Sequence, residues 1–259
     1  MALDYVNYRP FSGVGIVSMY PLGVGGAIGG GFDLGEAPVF KTSQEVPAVE
    51  LNTSRDTSRG IAYRMAQSKG VSLEIQLRTL SDSNLALLLG GSWTETAAAG
   101  AVSNWVAPTG LLVGQVIKLP ARNVSAVVVE DSTGSPKTLP TQQYELDAVA
   151  GTIKLLDITT GGPYVQPFKV DYTPGAVKTL GALKATDTEY HVQLSGSNAY
   201  DGARGIFEGF KFRFAAEGEA DWISEEFGTW TLRGSLLLDS TRLAGSAGGQ
   251  YYSWTQVGA

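Results

Sequence analysis

Cysteine is absent from this chain of 259 residues, and histidine occurs once, at His191. The first absence excludes disulfides, thiolate metal sites, iron–sulfur clusters and cysteine nucleophiles. The second leaves no pair of imidazoles for a transition-metal site. A Ser–His–Asp relay would have to use His191, which lies in the alternating segment EYHVQL, and no serine stands in a G-x-S-x-G setting. No G-x-x-x-x-G-K-[ST] loop is present for phosphate. No apolar run approaches the roughly 18 residues of a membrane helix. The opening MALDYVNYRP lacks a basic segment followed by an apolar one, so neither a membrane anchor nor a secretory leader is expected. Positive charge is also scarce: 19 Lys and Arg face 25 Asp and Glu, a net charge of −6. Such a chain binds nucleic acid poorly in a sequence-independent way, because phosphate contacts need a surplus of cations.

What is present is strand and turn material. Hydrophobic residues make up 43% and charged residues 17%, enough for a core and too little charge for disorder. The 33 glycines punctuate Val, Thr and Ser runs. The glycines at 13, 15, 23, 25 and 29 do not form a dinucleotide fingerprint, because more glycine follows them where a helix should open.

Residues 206–239 carry the clearest pattern. Phe210, Phe212 and Phe214 alternate with Lys211 and Arg213, a period of two that places them on opposite faces of a strand. An acidic turn follows, with Glu217, Glu219, Asp221, Glu225 and Glu226; it lacks the spacing of a calcium loop. Alternation resumes with Trp230, Leu232, Leu236 and Leu238 against Thr229, Thr231, Arg233 and Ser235. The same rule separates Val71, Leu73, Ile75 and Leu77 from Ser72, Glu74, Gln76 and Arg78. Next, Ser81 or Asp82 caps a short helix bearing Leu85, Leu88 and Leu89 and ending at Gly90-Gly91. The long polar stretch 42–69 reads as a hairpin with SRDTSRG at its tip. It carries Glu45, Glu50, Arg55, Asp56, Arg59 and Arg64 beside a weak alternation of Val46, Val49 and Leu51 and of Ile61, Tyr63 and Met65.

Composition divides the chain. Residues 1–31, with Tyr5, Tyr8 and Phe11 before a glycine-rich run, read as an N-terminal arm. A first β domain takes 32–106 and 176–240, including an Ala-rich linker at 92–106 bracketed by Trp93 and Trp105. Five short strands with turns between them make 107–175 an inserted small β-sandwich. Residues 241–259, with Tyr251, Tyr252 and Trp254, read as a C-terminal extension whose aromatics contact a neighbour. The fold class expected is mostly β: an antiparallel sandwich or partial barrel with one flanking helix and an inserted β domain. No cofactor, metal or catalytic constellation is expected.

The segments GEAPVF…KGVSLEIQLRTLSDSNLALLLGG and GFKFRF…EGEADWISEEFGTWTLRG resemble the major tail tube proteins of long-tailed bacteriophages, over roughly 32–91 and 186–240. The resemblance implies a non-enzymatic virion protein forming hexameric rings that stack into a hollow tail tube, through which double-stranded DNA passes during ejection. It implies that the subunit's partners are copies of itself and other tail proteins at the tube ends, and that it resides in the virion tail, or in host cytoplasm during assembly. On that basis loop 42–69 reaches the adjacent ring, helix 82–89 packs on the sheet, and Ser72, Glu74, Gln76, Thr229, Thr231 and Ser235 belong to the lumen face. Arg78, Lys211, Arg213 and Arg233 fit an acidic lumen poorly. The other readings are a different phage ring or decoration protein, and a carbohydrate-binding sandwich using Trp93, Trp105 and Trp230.

Overall fold

The computed structural model describes residues 12–52, 61–66, 69–215, 222–223 and 228–257. The chain forms two units, Met1–Ser92 with Gly181–Ala259, and Trp93–Leu180. The first opens with strands β1 (Gly13–Pro21), β2 (Phe32–Asp33), β3 (Val39–Glu45), β4 (Ala48–Asn52), β5 (Ile61–Ala66) and β6 (Gly70–Leu77), then helix α1 (Asp82–Leu88). The second contains β7 (Ser92–Thr96), β8 (Val102–Val106), β9 (Val116–Lys118), β10 (Val124–Glu130), β11 (Tyr144–Asp147), β12 (Thr152–Leu155), β13 (Lys169–Pro174) and β14 (Val177–Gly181). The chain then returns through β15 (Glu189–Asn198), β16 (Arg204–Phe214), β17 (Trp230–Leu236) and β18 (Tyr252–Val257). The protein is mostly β, with antiparallel ladders throughout the registered pairs.

An eight-stranded sheet organises the first unit, in the order β2-β1-β15-β16-β17-β6-β3, with β18 also on β16. One edge of β16 serves two partners: β18 takes residues 204–209 and β17 takes 212–214. The apolar positions of β6 alternate as the sequence dictates, so Val71, Leu73, Ile75 and Leu77 are buried with Val17, Met19, Val192, Phe207, Phe212, Leu232 and Leu236. Fully burying each such side chain contributes roughly 1.5–3 kcal/mol. Phe40 meets Phe207 edge-on at 5.1 Å, which brings the β3 end of the sheet over β16 and encloses the core. Leu238, expected on the dry face, lies beyond the end of β17 and is exposed.

Helix α1 starts where a side chain can replace a missing backbone partner. Ser81 Oγ accepts the Asn84 N–H at 3.1 Å. Gly90, at φ +52°, supplies the left-handed residue that ends the helix. Leu87 and Leu88 are buried and Leu85 packs partly against the same core. Asn84 is the buried polar residue of the helix; its amide donates to the Leu34 and Thr79 carbonyls at 2.8 and 2.9 Å.

The second unit has its own core. Sheets β10-β13-β8 and β11-β12-β9 face each other across Ile117, Val129, Ile153, Leu155, Phe168 and Val170. All five strands read from the sequence of this unit are present. Its limits are wider than the expected 107–175, because the supposed linker 92–106 supplies β7 and β8. β8 pairs with β13 and β7 pairs with β14, so the segments on either side of the small-residue run 97–101 are ladder, not spacer.

Two further expectations are corrected. Residues 13–31 are not an arm: β1 pairs with β15 over nine residues, Gly13–Asn198 to Pro21–Tyr190. Glycine is required there, since a Cβ on Gly15 would lie 2.6 Å from the Ser195 carbonyl oxygen. The C-terminal stretch is likewise no free extension, because β18 adds a six-residue ladder to β16. The indole of Trp254 lies over Gly205, where a Cβ would come within 2.0 Å of its ring.

Candidate functional site

Strand register gathers one continuous polar face. Across β3, β6, β17 and β16 run the rows Ser43–Ser72–Ser235–Arg213, then Lys41–Glu74–Arg233, then Val39–Gln76–Thr231. Thus Ser72, Glu74, Gln76, Thr231 and Ser235 share a face, and Thr229 precedes β17 in an exposed position. Lys41, Ser43, Ser72, Glu74 and Arg233 line a shallow depression of about 120 Å³.

The four cations that sat poorly on an acidic face each have a carboxylate within the chain. Arg233 Nε lies 3.3 Å from Glu74, Arg78 3.3 Å from Glu36 and Lys211 Nζ 3.0 Å from Glu189. Arg213 pairs with Asp187. Half-exposed pairs of this kind add little stability, on the order of 0–1 kcal/mol each. Their effect is local charge cancellation.

The β4–β5 hairpin has two unlike faces. On one, Glu50 and Arg64 stand opposite each other, 3.5 Å apart. On the other, Val49 faces Met65 and Leu51 faces Tyr63. These four side chains are 46, 68, 61 and 74% exposed, respectively. The charged residues expected to mark this segment therefore divide: Glu50 and Arg64 satisfy each other, Glu45 ends β3 in an exposed position, and Arg55, Asp56 and Arg59 lie outside the described residues. The uncovered apolar face was missed, although the alternation of Val49 with Leu51 and of Tyr63 with Met65 carried it.

The terminal aromatics turn inward. Tyr251 Oη donates to the Lys69 carbonyl at 3.2 Å. Tyr252 stacks on Phe207 at 5.2 Å, and its hydroxyl accepts from the Gln44 amide. These contacts correct the expectation that both rings await a neighbour; Trp254, over Gly205, remains 52% exposed. Tyr5, Tyr8 and Phe11 lie outside the described residues. Val14 and Ile16 on β1 were also missed as exposed apolar side chains, at 55 and 58%.

His191 is buried in β15. Burial lowers its pKa; Glu208, 4.0 Å away, opposes that shift, and Arg242 reinforces it. Its ring meets Tyr20 edge-on at 5.9 Å, and Arg242 lies 3.5 Å over the neighbouring Phe210 ring. Among the described residues no three His, Asp or Glu side chains converge as a cation site requires. No helix among them is long and apolar enough to cross a membrane.

The three tryptophans of the carbohydrate reading each have contacts of their own. Trp105 packs against the core of the second unit, Trp93 lies under the Lys178 ammonium at 4.9 Å, and Trp230 meets Trp222 edge-on at 5.7 Å.

Fold and surface together define a two-unit antiparallel β protein whose distinctive features are a charge-paired polar sheet face and a projecting amphipathic hairpin. Residues 10–255 match the model of the family described as "Protein of unknown function UCP028589", and the chain belongs to that family. No curated protein matches it.

Proposed function

We propose that this chain is a structural, non-catalytic subunit that assembles with copies of itself into stacked hexameric rings, forming a phage tail tube that conducts DNA. The observation that carries this reading is the polar face in register over β3, β6, β17 and β16, in a sheet whose edge strand β3 is paired on one side only among the described residues. A free strand edge is an aggregation hazard unless something covers it, and closure by identical copies covers every edge in the same way. The face also suits a conduit. Sequence-independent DNA binding scales with the phosphates that free cations neutralise. Here Lys211, Arg213 and Arg233 are already matched to carboxylates, which leaves Lys41 as the cation of the face without an ion pair among the described residues and weakens the grip on a passing duplex.

Negative-stain electron microscopy of the purified protein over rising concentration tests the proposal: rings and stacked tubes are expected. Deleting 46–66 should leave folded protein that forms no tubes. Rings without axial stacking would assign the chain to another ring of the particle. A monomer at every concentration overturns the reading.

A further inference from the structure

The single histidine lies beneath a loop that closes largely on itself. Between β17 and β18, residues 239–250 are tied end to end. The Asp239 N–H donates to the Gln250 carbonyl at 3.0 Å, and the Gln250 amide donates to the Arg242 carbonyl at 2.7 Å. Asp239 accepts the Thr241 N–H and hydroxyl, and Ser246 and Arg242 both donate to the Gly249 carbonyl. The loop brings little apolar surface to the sheet, since Leu243 is 80% exposed. Three contacts hold it down. The Arg242 guanidinium lies over the Phe210 ring. Gly248 packs on the same ring, where a Cβ would lie 3.5 Å from it. The Phe210 N–H donates to the Tyr251 carbonyl at 3.1 Å. Under this cover Phe210 is buried.

His191 meets the loop from the sheet side. The β16 bulge opposite it turns Phe210 towards it, with ring centroids 6.3 Å apart. β1 faces the imidazole with Tyr20, whose hydroxyl donates to Gln193. β16 presents Glu208 at 4.0 Å and Lys211, which is paired with Glu189 of β15. The loop presents Arg242, to which no carboxylate is paired among the described residues.

We propose that residues 239–251 are an acid-released latch: the loop rests on Phe210 while His191 is neutral, and a proton on His191 displaces Arg242 and lifts the loop. A neutral imidazole leaves the Arg242 charge alone over the ring. A protonated one sets a second cation beside it, out of water, with one partly exposed carboxylate to offset both. Burial and Arg242 lower the His191 pKa, against Glu208 and a hydrogen bond to the Phe210 backbone. Arg242 is the group that moves, because its loop is exposed whereas His191 is fixed in β15. Lifting bares Phe210 and loosens the start of β18, whose ladder begins at Tyr252. A histidine whose pKa is lowered in the closed form binds its proton more tightly in the open one. The closed form is therefore favoured above the ordinary value of 6.5. Opening grows as pH falls below that value, by at most about tenfold per pH unit. The latch stands whether or not copies of the chain assemble.

One histidine gives one imidazole signal by NMR, so a titration reads His191 directly. In the unmodified chain it should titrate below 6.5, and Arg242→Gln should move it upward. Amide exchange by mass spectrometry, corrected for its intrinsic pH dependence, reads the loop. Residues 239–251 and the Phe210 amide should open several-fold more at about pH 5.5 than at about pH 7.5. Peptides covering 144–155 of the second unit should not change over that range. His191→Gln should abolish the dependence, and Arg242→Gln should open the loop at both pH values. A midpoint at or above 6.5, equal exchange at the two pH values, or a response that survives His191→Gln overturns the latch. If His191→Gln does not fold, the Arg242→Gln titration decides: an unchanged midpoint overturns the proposal.

Discussion

Replacing Gly205 by alanine should loosen the C-terminal strand, against the usual sign of that substitution. Gly205 is not at positive φ, and a glycine-to-alanine change within a strand ordinarily stabilises by about 0.5–1 kcal/mol. Here the new Cβ would lie 2.0, 2.5 and 2.8 Å from Cζ2, Cη2 and Cε2 of Trp254. The indole must leave β16. It is 52% exposed in place, so it covers about half of the roughly 150–250 Å² that an aromatic side chain can bury. At about 25 cal/mol per Å², that half amounts to roughly 2–3 kcal/mol as an upper bound. After the ordinary alanine gain, a net loss of about 1–2 kcal/mol in the docking of β18 remains, close to a tenfold change in its opening equilibrium. Amide hydrogen exchange read by mass spectrometry checks it. Peptides covering 252–257 should exchange about tenfold faster, while those covering 144–155 of the second unit stay unchanged. Equal or slower exchange at 252–257 would refute the placement of Trp254 over Gly205.

Phe212→Ala empties a fully buried position and should cost about 3–5 kcal/mol, seen as a lower denaturant midpoint for the first unit. Asn84→Ala strips the Leu34 and Thr79 carbonyls of their buried donor; a loss of roughly 2–4 kcal/mol is expected by the same measurement. The second unit should weaken in acid. Burial alone would raise the pKa of Asp131, but the Lys137, Val165 and Thr133 N–H groups and the Thr133 hydroxyl hold it at about 2. A carboxyl so depressed adds stability that is complete above its unfolded pKa of about 3.9 and lost as pH falls towards 2. Thermal melts of the second unit should show that loss, and Asp131→Asn should flatten it while lowering stability at neutral pH.

On β6 and β17 sequence and structure agree. On β16 a bulge opposite His191 turns Phe210, expected to face the same way as Phe212 and Phe214, to the His191 side with Lys211. The dry positions of β6, Phe212 of β16 and Leu232 and Leu236 of β17 are buried, and all five strands read in the second unit are present. The Ser81 cap and Gly90 stop of α1 were equally plain, because both act within a few residues of chain. The missed strands share a cause. β1 is held by backbone ladder and by glycines that let β15 approach, and β7 (SWTET) and β8 (VSNWV) are mostly polar and exposed; none shows the two-sided contrast that marks a strand. In the candidate site, the wet residues of β6 and β17 were legible one strand at a time. That Glu74 neutralises Arg233 and Glu189 neutralises Lys211 was not, since 159 residues separate the first pair and 22 the second.

The sequence by itself determined which side of β6 and β17 is dry, where the helix begins and ends, and that a second β unit interrupts the first; these are consequences of local periodicity and turn chemistry. Only the tertiary structure decided that β18 and β17 share one edge of β16, that Arg213 and Arg233 of the polar face are matched to carboxylates, and which apolar side chains stay exposed among the described residues. Those outcomes depend on register between distant segments, and a one-residue shift in register would exchange the two faces of a strand.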